Sequence, residues 1–135
     1  EKTLRYPGHA EMMLEYRNKG LFNEKNVDQT SKELFEAWKL DDNEIEFTVL
    51  DVIIKGDTKM ITYHLYDEFD LKSCTSSMAR TTGYTATASI NLILENIWND
   101  YGVFPPEKVG VEPECIKFIL DYLYQRGVAI SKNTF

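Results

Sequence analysis

Apolar positions recur at helical spacing in four stretches of this chain and at strand spacing in two longer runs and one short one. Met12, Met13 and Tyr16 share one side of a helix predicted over residues 8–19, which Gly20 ends in the position a helix C-terminus favours. After a polar linker at 23–29, Thr30-Ser31-Lys32-Glu33 reads as a capping box. It predicts the start of a second helix that buries Leu34, Phe35 and Trp38 and is closed by Asp41-Asp42-Asn43.

Residues 45–54 are β-branched and aromatic, with Phe47, Val49 and Ile53 on one face and Thr48, Leu50, Val52 and Ile54 on the other. Both faces of this strand are therefore expected to be at least partly buried. Residues 55–59 supply a hairpin connection, and 60–66 return antiparallel. A third helix is predicted over 84–98, with Ala86, Ile90, Ile93, Leu94 and Ile97 as its inward stripe and a first turn small enough for close approach. Pro105 and Pro106 break the pattern. Pro113 then opens a last helix with Ile116, Ile119, Leu120 and Leu123 inward, Arg126 in its final turn and Gly127 just beyond. Val128-Ala129-Ile130 reads as a short closing strand. The fold class that results is α/β of the α+β type, about four helices on a mixed or antiparallel sheet.

Composition narrows the functions open to such a fold. At 135 residues and 43% hydrophobic, the chain suits one compact core, so residues 1–135 are expected to form a single domain or a domain fragment. The chain opens on Glu1 rather than Met, so sequence upstream of it is expected. Fifteen basic against 22 acidic residues leave a net charge of −7, which argues against nucleic acid or an anionic membrane surface as partner. Cys74 and Cys115 lack CxxC spacing, so neither a zinc site nor a disulfide framework is expected and a cytoplasmic setting is natural. No run approaches the roughly 18–20 apolar residues that span a bilayer.

Two runs carry candidate chemistry. Ser76-Ser77-Met78-Ala79-Arg80-Thr81-Thr82-Gly83 brings an arginine and several hydroxyls to a glycine that opens a helical pattern. Backbone N–H groups at a helix start and a nearby guanidinium form a seat for a carboxylate or phosphate, although the same residues can simply cap the helix. Thr3-Leu4-Arg5-Tyr6-Pro7-Gly8-His9 again sets an arginine before a Pro-Gly break. Arg5 reads either as a carboxylate clamp or as a surface arginine. His9 reads as a proton-exchanging group or a helix-start polar residue, and His64 as structural or exposed. The carboxylates of Asp67-Glu68-Phe69-Asp70 read as general bases or metal ligands or, as is usual after a strand, as groups that face water, which is the expectation here, with Asp67 the one to watch. Trp38, Trp98, Tyr122 and Tyr124 are expected to fill core or interface.

Much is missing. The seven glycines are nowhere closer than eight residues apart, so no G-x-G-x-x-G and no P-loop can be written. Gly-x-Ser-x-Gly and HExxH are absent, so the catalytic residues are unknown, no metal ligands are named, and catalysis by this segment alone is not expected.

Together the two arginine runs resemble the C-terminal part of the saccharopine dehydrogenase family, including bacterial lysine 6-dehydrogenase-like members. Lys19-Gly20-Leu21-Phe22, Tyr66-Asp67, Gly102-Val103-Phe104-Pro105-Pro106-Glu107 and Arg126-Gly127-Val128 add to the resemblance, which covers nearly the whole chain. It implies the substrate-binding and dimerisation part of an NAD(P)-dependent amino-acid dehydrogenase whose N-terminal Rossmann domain lies outside this chain. By that resemblance Thr3, Leu4 and Arg5 line a saccharopine site, Arg5 holds a substrate carboxylate and His9 lies at its edge. Arg80, Thr81 and Thr82 would form the cleft wall near the dinucleotide, NAD or NADP, which the absent domain would mainly hold. Saccharopine or lysine is the implied substrate and a homodimer the implied assembly. The alternative is a non-catalytic amino-acid-binding or dimerisation module.

Overall fold

Gly8 opens the first helix of the computed structural model at φ 90°, a left-handed conformation that suits a residue without Cβ. The structure describes every residue except Glu1, Asp42 and Asn43. The chain divides into two compact units, Glu1–Asp42 and Asn43–Phe135.

In the first unit α1 spans His9–Asn18, with Met12, Met13 and Tyr16 half-buried. It stops where expected. Gly20, at φ 71°, donates to the Arg17 carbonyl (3.0 Å) and Leu21 to Tyr16 (3.0 Å), the paired bonds that close a helix around a left-handed glycine. The second helix, α2, spans Val27–Ala37 and so begins before the predicted capping box. Asn26 and Val27 already turn back onto the Asn23 carbonyl, at 2.8 and 2.9 Å. Thr30 consequently lies inside the helix, buried, and its hydroxyl donates to the Leu21 carbonyl at 2.7 Å instead of capping. Leu34 is half-buried, whereas Phe35 and Trp38, expected inside, are exposed. Two residues of the predicted stop, Asp42 and Asn43, lie outside the described residues.

The second unit holds a three-stranded antiparallel sheet ordered β1 (Phe47–Lys55), β2 (Met60–Glu68), β3 (Ile130–Thr134). Lys55 faces Met60 across the hairpin and Thr48 faces Asp67 near its open end. The closing strand thus starts at Ile130 and runs past the predicted tripeptide. Residues 60–63 of β2 are all half-buried, and from His64 onward the strand alternates as a half-covered one must, with Leu65 and Asp67 buried and His64, Tyr66 and Glu68 exposed. β1 does not follow the expectation of two covered faces. Phe47, Leu50, Val52, Ile53 and Ile54 are exposed, and Thr48 is its one half-buried residue.

Helices α3 (Tyr84–Leu94), α4 (Pro106–Gly110) and α5 (Pro113–Tyr124) complete the α+β unit. The core joins Leu65 of β2 to Leu123 of α5 and to Val128, with Tyr84, Ile119 and Ile130 against them. Asn96 adopts φ 56° and ends α3 at Leu94, four residues short of the predicted Trp98, because Asn96 and Ile97 donate back to Ile93 and Leu92. The helix also turns a different stripe inward. Ala88 and Leu92 are buried, while Ala86, Ile90, Ile93 and Leu94 are exposed and Ile97 half-buried. On α5, Cys115 and Leu123 are buried and Ile116 and Leu120, expected inward, are exposed.

Candidate functional site

Strand alternation decides where the second arginine run does its work. Because side chains repeat with period two, the core-facing series on β2 that includes Leu65 ends on Asp67, so the strand delivers a carboxylate to the interior. Asp67 is 5% exposed, contrary to the expectation that it faces water. An isolated buried carboxylate is too costly to keep charged, so it requires a partner.

Arg80 is that partner. Its Nε donates to both Asp67 oxygens (3.3 and 3.2 Å) and its Nη2 to Oδ1 (3.1 Å), while Nη1 lies 3.3 Å from Asp70 Oδ2. Nη2 also reaches the Arg126 carbonyl at 3.4 Å, at the C-terminal end of α5. One guanidinium thereby ties together the end of β2, the loop after it and the end of the last helix. Hydrogen bonding to Asp67 pushes its pKa up against the cost of burial, so it stays charged. Asp70 is held below the ordinary carboxylate value by the Ser73 hydroxyl, the Lys72 backbone N–H and, less strongly, Arg80.

The helix that carries Arg80 does not begin at Gly83. Ser77 and Met78 are already helical, Ser76 Oγ accepts from the Ala79 N–H at 3.1 Å, and a π-helical turn over Ala79–Gly83 leads directly into α3. Gly83 is therefore interior, at φ −66°, and the expected helix start with open N–H groups is not there. The hydroxyls face the same correction, since Thr81 bonds the Ser77 carbonyl at 2.9 Å and Thr85 the Thr81 carbonyl at 2.7 Å. Thr82 is exposed. Ser77, fully buried, fixes the run to the sheet: its hydroxyl lies 2.9 Å from the Asp67 carbonyl and 2.8 Å from Thr48 Oγ1. A carbonyl only accepts, so the serine proton goes to Asp67 and Thr48 donates in turn. The Ser77 backbone N–H is bonded to the Glu46 carboxylate.

Above this framework opens a cleft of about 500 Å³, with Arg80, Asp67 and Asp70 in its wall and Lys72, Arg126 and Gly127 beside them. A smaller hollow of about 190 Å³ lies along Leu120, Tyr124 and Ile130; Asp121, also in its lining, is paired with Lys117. Arg126 and Glu68, which help to line the larger cleft, were not singled out as site residues from sequence, because their placement depends on how α5 ends and on strand register.

The first run has another character. Thr3, Leu4 and Arg5 are exposed, and among the described residues the Arg5 guanidinium hydrogen-bonds only the neighbouring Leu4 carbonyl, at 2.8 Å. His9 is half-buried at the start of α1, its ring 5.5 Å from that of Trp38. His64 is exposed and lies 2.6 Å from Asp51.

A family described as Saccharopine dehydrogenase C-terminal domain has a model that matches residues 1–128. The chain belongs to this family. The match includes both arginine runs and reaches the Arg126-Gly127-Val128 turn, so the family resemblance read from those motifs is borne out. A search of curated proteins found no match. Membership makes the chain a dehydrogenase-associated domain. Among the described residues no helix is long and apolar enough to cross a membrane, and no group of three or more His, Cys, Asp or Glu could hold a metal ion.

Proposed function

We propose that this chain is the C-terminal substrate-binding segment of a cytoplasmic, NAD(P)-dependent saccharopine dehydrogenase-like oxidoreductase of lysine metabolism. Saccharopine or lysine is its substrate. Thr3, Leu4 and Arg5 contact that substrate, Arg5 takes one of its carboxylates, and His9 stands at the edge of the site. Arg80 belongs to the wall of the cleft, and Thr81 and Thr82, which do not line the cleft described above, follow it on the same helical turn and would contribute through the rest of the substrate site. The observation that carries this reading is the exposed Arg5 guanidinium, which has no carboxylate partner among the described residues and sits in a family-matched segment. A planar fork of N–H donors in that state suits a carboxylate in charge and in geometry.

The residues present do not form a dinucleotide site, since no two glycines stand close enough to make a phosphate-binding loop. NAD or NADP would be bound by residues outside this chain and would supply the hydride chemistry, while this chain orients a multiply charged substrate. The exposed apolar residues of β1 support assembly as a homodimer.

The test is turnover by the full-length protein with NAD or NADP and either L-saccharopine or L-lysine. Nicotinamide-dependent turnover of one of them is expected, with Arg5→Ala raising KM at least tenfold. Absence of turnover with every pairing would remove the enzyme reading.

A further inference from the structure

The larger cleft has a charge pattern that can be read group by group. Asp67, Glu68 and Asp70 oppose Lys72, Arg80 and Arg126. Three of the six are committed to one another, because Arg80 is ion-paired to both Asp67 and Asp70. The remainder is asymmetric: two cations, Lys72 and Arg126, with no ion pair to any described carboxylate, and one carboxylate, Glu68, which accepts from the Tyr66 hydroxyl at 3.1 Å.

Arg126 is the better held of the two cations. Its guanidinium carbon lies 3.3 Å from the centre of the Tyr122 ring, and Nη1 donates to the Tyr122 carbonyl at 3.1 Å. Stacking and this bond fix the plane while leaving Nε and Nη2 without a partner among the described residues. The backbone beneath is fixed as well. Gly127, at φ 80°, donates to Tyr124 and Val128 to Leu123, both at 3.0 Å, and Arg80 bonds the Arg126 carbonyl. A guanidinium whose side chain and main chain are both set before a ligand arrives loses little freedom on binding one.

We propose that Arg126 is a carboxylate-binding residue of this cleft, that the ligand is an amino acid whose ammonium group is taken by Glu68, and that Arg80 is a positioning residue acting through the Arg126 carbonyl. This assignment deepens the substrate-binding reading and rests on it for the ligand's role in turnover. A doubly charged phosphate fits less well, because the carboxylates of Glu68 and Asp70 line the same cleft.

The probe is L-glutamate, titrated into the full-length protein while the Arg126 Nε–Hε resonance and the calorimetric Kd are followed. Glutamate should shift that resonance, Arg126→Ala should weaken binding at least tenfold while its circular dichroism spectrum stays that of the unaltered protein, and Arg126→Lys should weaken binding by less. An unmoved resonance, or glutamate binding to Arg126→Ala as tightly as to the unaltered protein, would overturn the assignment. So would inorganic phosphate displacing glutamate at equal concentration. A glutamate shift at Arg126 in a protein that turns over no amino acid would keep the assignment and discard the enzyme reading, so the two fail separately.

Discussion

Arg5 and Arg80 sit in comparable sequence runs and occupy opposite physical environments. Arg80 is 8% exposed, with two carboxylates and a helix-end carbonyl around it; Arg5 is exposed and, among the described residues, hydrogen-bonds only the carbonyl of its neighbour. An arginine among threonines and glycine can thus be a device that holds the fold together or a group left open to solvent. What sets Arg80 apart is the strand alternation that buries Asp67 and brings its carboxylate to the guanidinium.

The difference should be largest when the buried pair is broken. Asp67→Ala leaves the guanidinium of Arg80 with Asp70 as its one carboxylate partner among the described residues, beside the Arg126 carbonyl, and loss of one member of a buried pair costs about 3–5 kcal/mol. Urea unfolding followed by circular dichroism should register that loss. Ser77→Ala removes the hydroxyl between Thr48 and the Asp67 carbonyl, and a buried bond of this kind is worth about 1–3 kcal/mol once its partners are stranded. Gly127→Ala comes next. It places a Cβ 3.3 Å from Arg80 Nη2 at φ 80°, and the left-handed conformation alone costs about 1–2 kcal/mol.

The smallest effect is a change of pH dependence, and that change shows only in acid. Folding lowers the Asp70 pKa below its ordinary 3.8, so its contribution is complete above that value and is lost as the pH falls through the folded pKa. Asp70→Asn should therefore match the unaltered protein in the pH dependence of melting above pH 3.8 and flatten it only below.

Sequence made some of this legible. The family motifs, the hairpin, the glycine stop of α1 and the importance of Asp67 could all be read from the residues themselves. The Asp67–Arg80 pair could not, because it joins a strand to a helical turn 13 residues later across a loop. Ser77 and Thr30 misled in the same way: a hydroxyl that seems to cap a helix can equally bond a carbonyl from another element. Asn96 ended α3 early because a single left-handed residue outweighs an apolar pattern that continues through Ile97 and Trp98. On β1, apolar character was read as burial, whereas hydropathy records only which side chains avoid water and not which element covers them.

Paired unfolding and binding measurements on Arg5→Ala and Arg80→Ala in the full-length protein test the account at its centre. Arg5→Ala should unfold within about 0.5 kcal/mol of the unaltered protein, as exposed substitutions do, and lose binding of whichever of L-saccharopine and L-lysine the unaltered protein turns over, while Arg80→Ala should lose several kcal/mol of stability. Equal stability of the two variants, or unchanged binding of that substrate by Arg5→Ala, would contradict it.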